Sequence, residues 1–115
     1  DVYKRQANNP SLVKKFLKAA YSGWDFTLKN PEEAIAILAE YHPINRTDYV
    51  ANLKVVMEFF KTERYRKYGI GYIDPARMED TINIVGQYMG IAINFKPEDA
   101  YTSEFLPDPP YKYEF

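Results

Sequence analysis

Three times in 115 residues an Asn or Asp stands directly before a proline at the head of a stretch with helical apolar spacing: Asn9-Pro10, Asn30-Pro31 and Asp74-Pro75. The side-chain oxygen of such a residue accepts an amide proton that the first helical turn leaves without a partner. Proline then presets φ and gives up a donor that the helix does not need. A chain punctuated in this way commits most of its length to helices, and no series of alternating strands competes with them.

After Asn9, apolar residues fall at Val13, Phe16, Leu17, Ala20, Trp24 and Leu28, with Lys14, Lys15 and Lys18 on the polar face. Gly23 interrupts this helix at a cost of about 1 kcal/mol against Ala, which predicts a kink or a close approach there. A second helix runs from Pro31 to about Tyr41, with Glu32 and Glu33 at its positive end and Ala34, Ile35 and Leu38 as its buried stripe. His42-Pro43 stops it. A third, near Thr47 to Lys61, buries Val50, Leu53, Val56, Met57 and Phe60. The fourth follows Asp74-Pro75, carries Met78, Ile82, Val85 and Met89 on one face, and closes at Gly90. Residues 65–73 read as an aromatic and basic loop, and Ile91–Phe95 as a short extended piece. Pro97 starts one helical turn toward Phe105, and Pro107, Pro109 and Pro110 keep the tail extended. The expected fold class is therefore mostly α: four main helices plus a short C-terminal turn.

Composition narrows the function classes. The formal net charge of −1 argues against binding nucleic acid or an anionic membrane by bulk charge. No apolar run approaches the roughly 20 residues that span a bilayer, so direct membrane insertion is not expected. With no cysteine, disulfides, thiolate metal sites and a thiol nucleophile are excluded. Aromatic residues are abundant at 17%.

The chemistry-bearing candidates are few. His42, the single histidine, sits at a helix C-terminus where a cation suits the dipole, and no nucleophile or second ligand lies near it. Glu32/Glu33 and Glu98/Asp99 occupy first helical turns. Glu79/Asp80 point about 100° apart on one helix and read as a solvated face. Gly69-Ile70-Gly71 lacks the third glycine, the preceding strand and the Lys-Ser/Thr of a phosphate loop. No catalytic residue, metal ligand or cofactor site is expected. Lys61, Arg64, Arg66 and Lys67 interleave with Tyr65, Tyr68 and Tyr72. Such a cluster packs against a neighbouring lobe or lines a small-molecule cleft, because Tyr offers an apolar face with a polar tip. Trp24 reads first as core and second as a ligand platform. The candidate ligand-binding residues are thus Tyr68, Tyr72 and Trp24.

Longer strings carry a resemblance. Asn9-Pro10-Ser11-Leu12-Val13-Lys14-Lys15-Phe16-Leu17-Lys18-Ala19-Ala20, Gly23-Trp24 and Asn30-Pro31-Glu32-Glu33-Ala34 resemble the C-terminal part of ABC-transporter substrate-binding proteins. Within these the chain is most similar to the sulfonate-, nitrate- and thiamine-pyrimidine-precursor-binding group, with its related pyrimidine precursor synthases. Residues 71–78 add support, and Pro97-Glu98-Asp99-Ala100-Tyr101-Thr102-Ser103-Glu104-Phe105-Leu106-Pro107 matches the way such chains end. The resemblance implies a two-lobed α/β parent of the periplasmic-binding-protein type II class. That parent would capture a small molecule outside the membrane and deliver it to an ABC permease, without chemistry or cofactor. It implies a periplasmic or otherwise extracytoplasmic location. A thiamine pyrimidine precursor or similar heterocycle is the expected ligand, with sulfonate or nitrate next.

Asp1-Val2-Tyr3-Lys4-Arg5-Gln6 looks like translated sequencing adapter, as found at the ends of fragmentary assembled reading frames. The expected organisation is a non-native segment at 1–6, the C-terminal helical part of a solute-binding domain at 7–107, and a proline-rich tail at 108–115. Two other readings stand beside this one: a stand-alone tetratricopeptide-like interaction module, and a fragment of a pyrimidine-precursor synthase. Against the first, the helix starts at Pro10, Pro31 and Pro75 follow no 34-residue period. The apolar stripes are expected to pack partly against residues outside this chain, which leaves it helical but loosely packed.

Overall fold

A computed structural model describes residues 2–42 and 46–114. Among them are six α-helices: α1 (Val2–Asn8), α2 (Pro10–Lys29), α3 (Pro31–Tyr41), α4 (Arg46–Phe60), α5 (Glu63–Tyr68) and α6 (Pro75–Met89). One 3-10 turn follows at Pro97–Ala100, and no strand is present among the described residues. The mostly α class read from the sequence is what the chain adopts. Of the residues read as adapter, 2–6 lie in α1, whose Arg5 carbonyl accepts from the Asn9 amide at 2.8 Å, and Asp1 lies outside the described residues.

Two of the three Asx-Pro starts cap as expected. Asn9 Oδ1 accepts from the Leu12 amide at 3.1 Å. Asp74 Oδ1 accepts from the Ala76 and Arg77 amides at 2.9 and 3.4 Å. Asn30 works differently: its amide group donates back to the Phe26 carbonyl at 3.2 Å, so it closes α2 and makes no side-chain bond to α3. One residue cannot serve both junctions, and the finishing helix takes it. The expected bounds of α3 match those observed, with His42 as its C-cap. Pro43 lies outside the described residues. At the far end Gly90 is left-handed, with φ 64° and ψ 22°, and closes α6.

Three local expectations are corrected. Residues 63–68 form α5, where a loop was expected; Thr62 Oγ1 caps it by accepting from the Tyr65 amide at 3.3 Å. No extended pairing forms at Ile91–Phe95. Gly23 lies inside an unbroken α2, with nothing within 4 Å of where a Cβ would stand, so close packing does not explain it.

The core is small. Leu28, Ile70 and Tyr113 form a buried cluster, flanked by Tyr21, Met57, Phe60 and Tyr111. Leu28 is the only buried member of the α2 stripe, and Phe16 is 68% exposed. The accessible surface of 8780 Å² exceeds the roughly 6,500 Å² expected for a compact monomer of 13.5 kDa. The radius of gyration is 17.0 Å, against about 13 Å for a compact chain of this length. Large apolar side chains remain open along α4 and α6, including Phe59, Ile84 and Tyr88. Helices in this chain are set by local signals and only partly by burial.

Two measurements follow from this balance. Heating the chain should give strong far-UV helical signal, weak near-UV signal and a broad melt, whereas a sharp cooperative transition would contradict the sparse core. Hydrogen exchange should separate the glycines. Gly23→Ala slows exchange in α2 by roughly five-fold, the equivalent of about 1 kcal/mol. Gly71→Ala speeds exchange at Ile70, because Gly71 has φ 89° and an added Cβ would collide with the Tyr21 hydroxyl.

Candidate functional site

Two concave regions flank the α2–α4 packing. The first, about 360 Å³, lies among the end of α4, α5, the 69–74 loop and the start of α6. Its walls include Phe59, Arg64, Tyr65, Tyr72, Arg77 and Met78. The second is a groove of about 630 Å³ between α2, α3 and α4, lined by Trp24, Ile35, Leu38, Tyr41 and Leu53. The two differ in chemistry: the first mixes charge with aromatic faces, the second is apolar.

Asp74 organises the first cleft. Besides capping α6 it accepts an ion pair from Arg64 Nε at 3.0 Å, which ties α5 to α6 across the loop. The loop itself turns through Gly69 and Gly71, with φ 87° and 89°. A Cβ at Gly69 would stand 2.7 Å from the Pro110 Cβ and 2.9 Å from the Tyr111 carbonyl. Between them the Ile70 amide donates to the Tyr111 carbonyl at 2.7 Å. The Gly-Ile-Gly unit therefore seats the C-terminal tail.

The aromatic residues form two stacks. Trp24, Phe60 and Tyr65 run in series, with centroid separations of 5.6 and 5.1 Å. Tyr68 and Tyr72 stack at 4.2 Å and 19°, with Lys67 Nζ 4.9 Å over the Tyr68 ring. The three sequence candidates thus fall in different places. Tyr72 lines the charged cleft, Tyr68 backs it from outside, and Trp24 lines the apolar groove at 40% exposure. Trp24 is not a core residue as first read, because the α2 face it occupies is only partly covered by α3 and α4. Sequence reasoning missed Arg77 and the second role of Asp74; the Asp-Pro cap signalled the helix start, but its contact with Arg64 spans ten residues.

The basic cluster is largely neutralised. Lys61 pairs with Glu58 at 2.6 Å, Arg66 with Glu63 at 3.2 Å, and Arg64 with Asp74. The hydrogen bond to Glu58 pushes the Lys61 ammonium above its usual range, and one to Tyr68 does the same for Lys67. Burial, and next the neighbouring Tyr65, pushes the Tyr21 phenol up. His42, Glu79 and Asp80 are exposed, and the described residues contain no cluster of potential metal ligands.

Comparison with known proteins places these elements. The NMT1/THI5 like family matches residues 3–34. The riboflavin-binding protein RibY of Chloroflexus aurantiacus is 30% identical over 112 residues, covering 91% of this chain and 31% of that protein. A second relative, the 4-amino-5-hydroxymethyl-2-methylpyrimidine phosphate synthase of Legionella pneumophila, is 28% identical over 102 residues, covering 89% of this chain and 30% of the synthase. The chain therefore spans about three tenths of the length of these curated relatives. No solved structure matches it. The family match begins at Tyr3, within the residues read as adapter. No helix among the described residues is long and apolar enough to cross a membrane.

Asp74 gives the direct test of this geometry. Asp74→Ala removes both the cap and the Arg64 partner and should cost about 1–2 kcal/mol locally, read as faster exchange at Ala76 and Arg77. Asp74→Asn keeps an equivalent cap and loses only a half-exposed ion pair, so its effect should stay under about 1 kcal/mol. Equal effects would mean that the ion pair, and not the cap, fixes the start of α6.

Proposed function

We propose that this chain is the C-terminal helical part of an extracytoplasmic solute-binding protein that captures a small heterocycle for import by an ABC permease. The observation that carries this reading is the relationship to RibY across nearly the whole chain. The open apolar faces support it further: a surface about a third larger than a compact monomer requires suits a chain that packs against additional polypeptide. In such a parent, two α/β lobes close over the ligand, and selectivity comes from preorganised polar and aromatic groups. Tyr68, Tyr72 and Trp24 would contribute aromatic surface on this side of the molecule, with residues 7–107 as the domain portion and 108–115 as its tail.

A second reading, part of a pyrimidine-precursor synthase, is favoured by the Legionella relative. Capture without chemistry is preferred here because the match to the riboflavin-binding protein is longer and closer, 30% over 112 residues against 28% over 102.

The deciding experiment expresses the longer reading frame that contains this chain and titrates it calorimetrically with riboflavin and with 4-amino-5-hydroxymethyl-2-methylpyrimidine. Binding at micromolar Kd or tighter, with the ligand recovered unchanged, is the expected result. Turnover of a substrate to a phosphorylated pyrimidine would replace this reading with the synthase. A frame that starts at the α2 boundary and binds neither compound would favour a helical interaction module.

A further inference from the structure

We propose that the cleft between α4, α5 and α6 is a binding site for a planar aromatic compound carrying a carboxylate or phosphate group. The assignment stands on this cleft alone and does not depend on the transport reading. Its volume of about 360 Å³ lies at the lower end of the range for small-ligand pockets, which suits a one-ring or two-ring compound.

The charge argument comes from counting partners. Arg64 is neutralised by Asp74. Asp74 in turn has its single charge engaged by Arg64 while it also accepts from the Ala76 and Arg77 amides. Arg77 faces the same cleft and has no carboxylate within ion-pair distance among the described residues. One uncompensated guanidinium therefore remains, and its planar fork is matched by a carboxylate or phosphate that accepts two parallel hydrogen bonds. Thr81 Oγ1 donates to the Arg77 carbonyl at 2.8 Å, which holds the backbone that carries this group.

The aromatic argument comes from support. Tyr65 and Tyr72 both line the cleft, and each is held by a ring outside it: Phe60 against Tyr65 at 5.1 Å and Tyr68 against Tyr72 at 4.2 Å. Rings fixed in this way lose little further freedom when a ligand stacks on them. A bare inorganic anion would leave these faces unused, and a neutral ring would leave Arg77 without its partner. The compound that uses both is aromatic and anionic.

Titration of the 115-residue chain by NMR with phenyl phosphate, inorganic phosphate and benzyl alcohol tests this. Phenyl phosphate should give saturable shifts at the Arg77 side-chain N–H and at the Tyr65 and Tyr72 rings, with Kd on the order of 1 mM or below. The other two probes should bind at least ten-fold more weakly. Arg77→Gln, on an exposed helix position, should lose at least ten-fold with the remaining spectrum unchanged, and Arg77→Lys should recover only part of it. The proposal is overturned by equal binding in Arg77→Gln, or by inorganic phosphate binding as tightly as phenyl phosphate. It is also overturned if no shift saturates, whether the Arg64 side-chain N–H shows its bond to Asp74 or is absent because the cleft does not stand. Failure of the longer protein to bind a flavin or pyrimidine would reject the transport reading and leave these outcomes as they are.

Discussion

The amide of Ile70 donates to the carbonyl of Tyr111, and the tightest packing in the molecule gathers around that bond. Tyr113, two residues further on, completes a cluster with Leu28 from α2 and Ile70 itself, so the tail closes over the middle of the chain. This contact needs backbone conformations that only glycine adopts readily. Gly69 and Gly71 hold φ near 90° on either side of Ile70, and the space for side chains at both is already taken by the tail and by Tyr21. Without the pair of glycines, Ile70 does not reach Tyr111, and α5 is left with only the Arg64–Asp74 ion pair to hold it against α6. The charged cleft depends on that relation, because its two arginines come from those two helices.

Local signals and long-range contacts contributed unequally to what could be read from the residues. The Asx-Pro starts located α2, α3 and α6 because a cap and a proline act within four residues of one another. Even so, Asn30 served the helix it ends, a choice that depends on geometry at the junction and not on residue type. The six residues of α5 escaped detection because a single turn and a half shows no apolar period, although Thr62 before Glu63 was an available cap signal. Burial was the weaker half of the reading. The periodic stripe on α2 is real, but a stripe identifies the face that prefers to be covered and not whether this chain covers it; Phe16 and Trp24 stay open, and Leu28 does not.

The site was legible in part for the same reason. Its aromatic wall could be anticipated from the density of tyrosines between residues 65 and 72, and Tyr72 does line the cleft. Its electrostatics could not, since the important fact is a difference between two arginines that look alike in sequence. Arg64 meets the carboxylate that also starts α6, whereas Arg77, three residues past that carboxylate, has no carboxylate within ion-pair distance among the described residues. Of the four cations at 61–67, three are paired and one, Lys67, rests on a tyrosine, so the uncompensated guanidinium is Arg77, outside that cluster. Bulk charge is then a poor guide to what the surface attracts, and the geometry of single pairs is the better one.

The balance between helix propensity and burial also bears on how a chain of this kind works within something larger. Helices held by caps, proline and short-range ion pairs keep their form without a complete core, as α2, α3 and α6 do here. Their uncovered faces are then available to be buried against further polypeptide at little reorganisation cost, because the helical backbone is already paid for by local contacts. The apolar groove and the charged cleft divide that labour. The groove, lined by Trp24, Ile35 and Leu38, gains most from being covered and has little polar chemistry to offer a solute. The cleft, with Asp74 paired to Arg64 and Arg77 without a carboxylate partner among the described residues, gains least from apolar cover, since burying an unpaired guanidinium is costly. On this physical ground the groove suits packing against further polypeptide, and the cleft suits the ligand proposed for it.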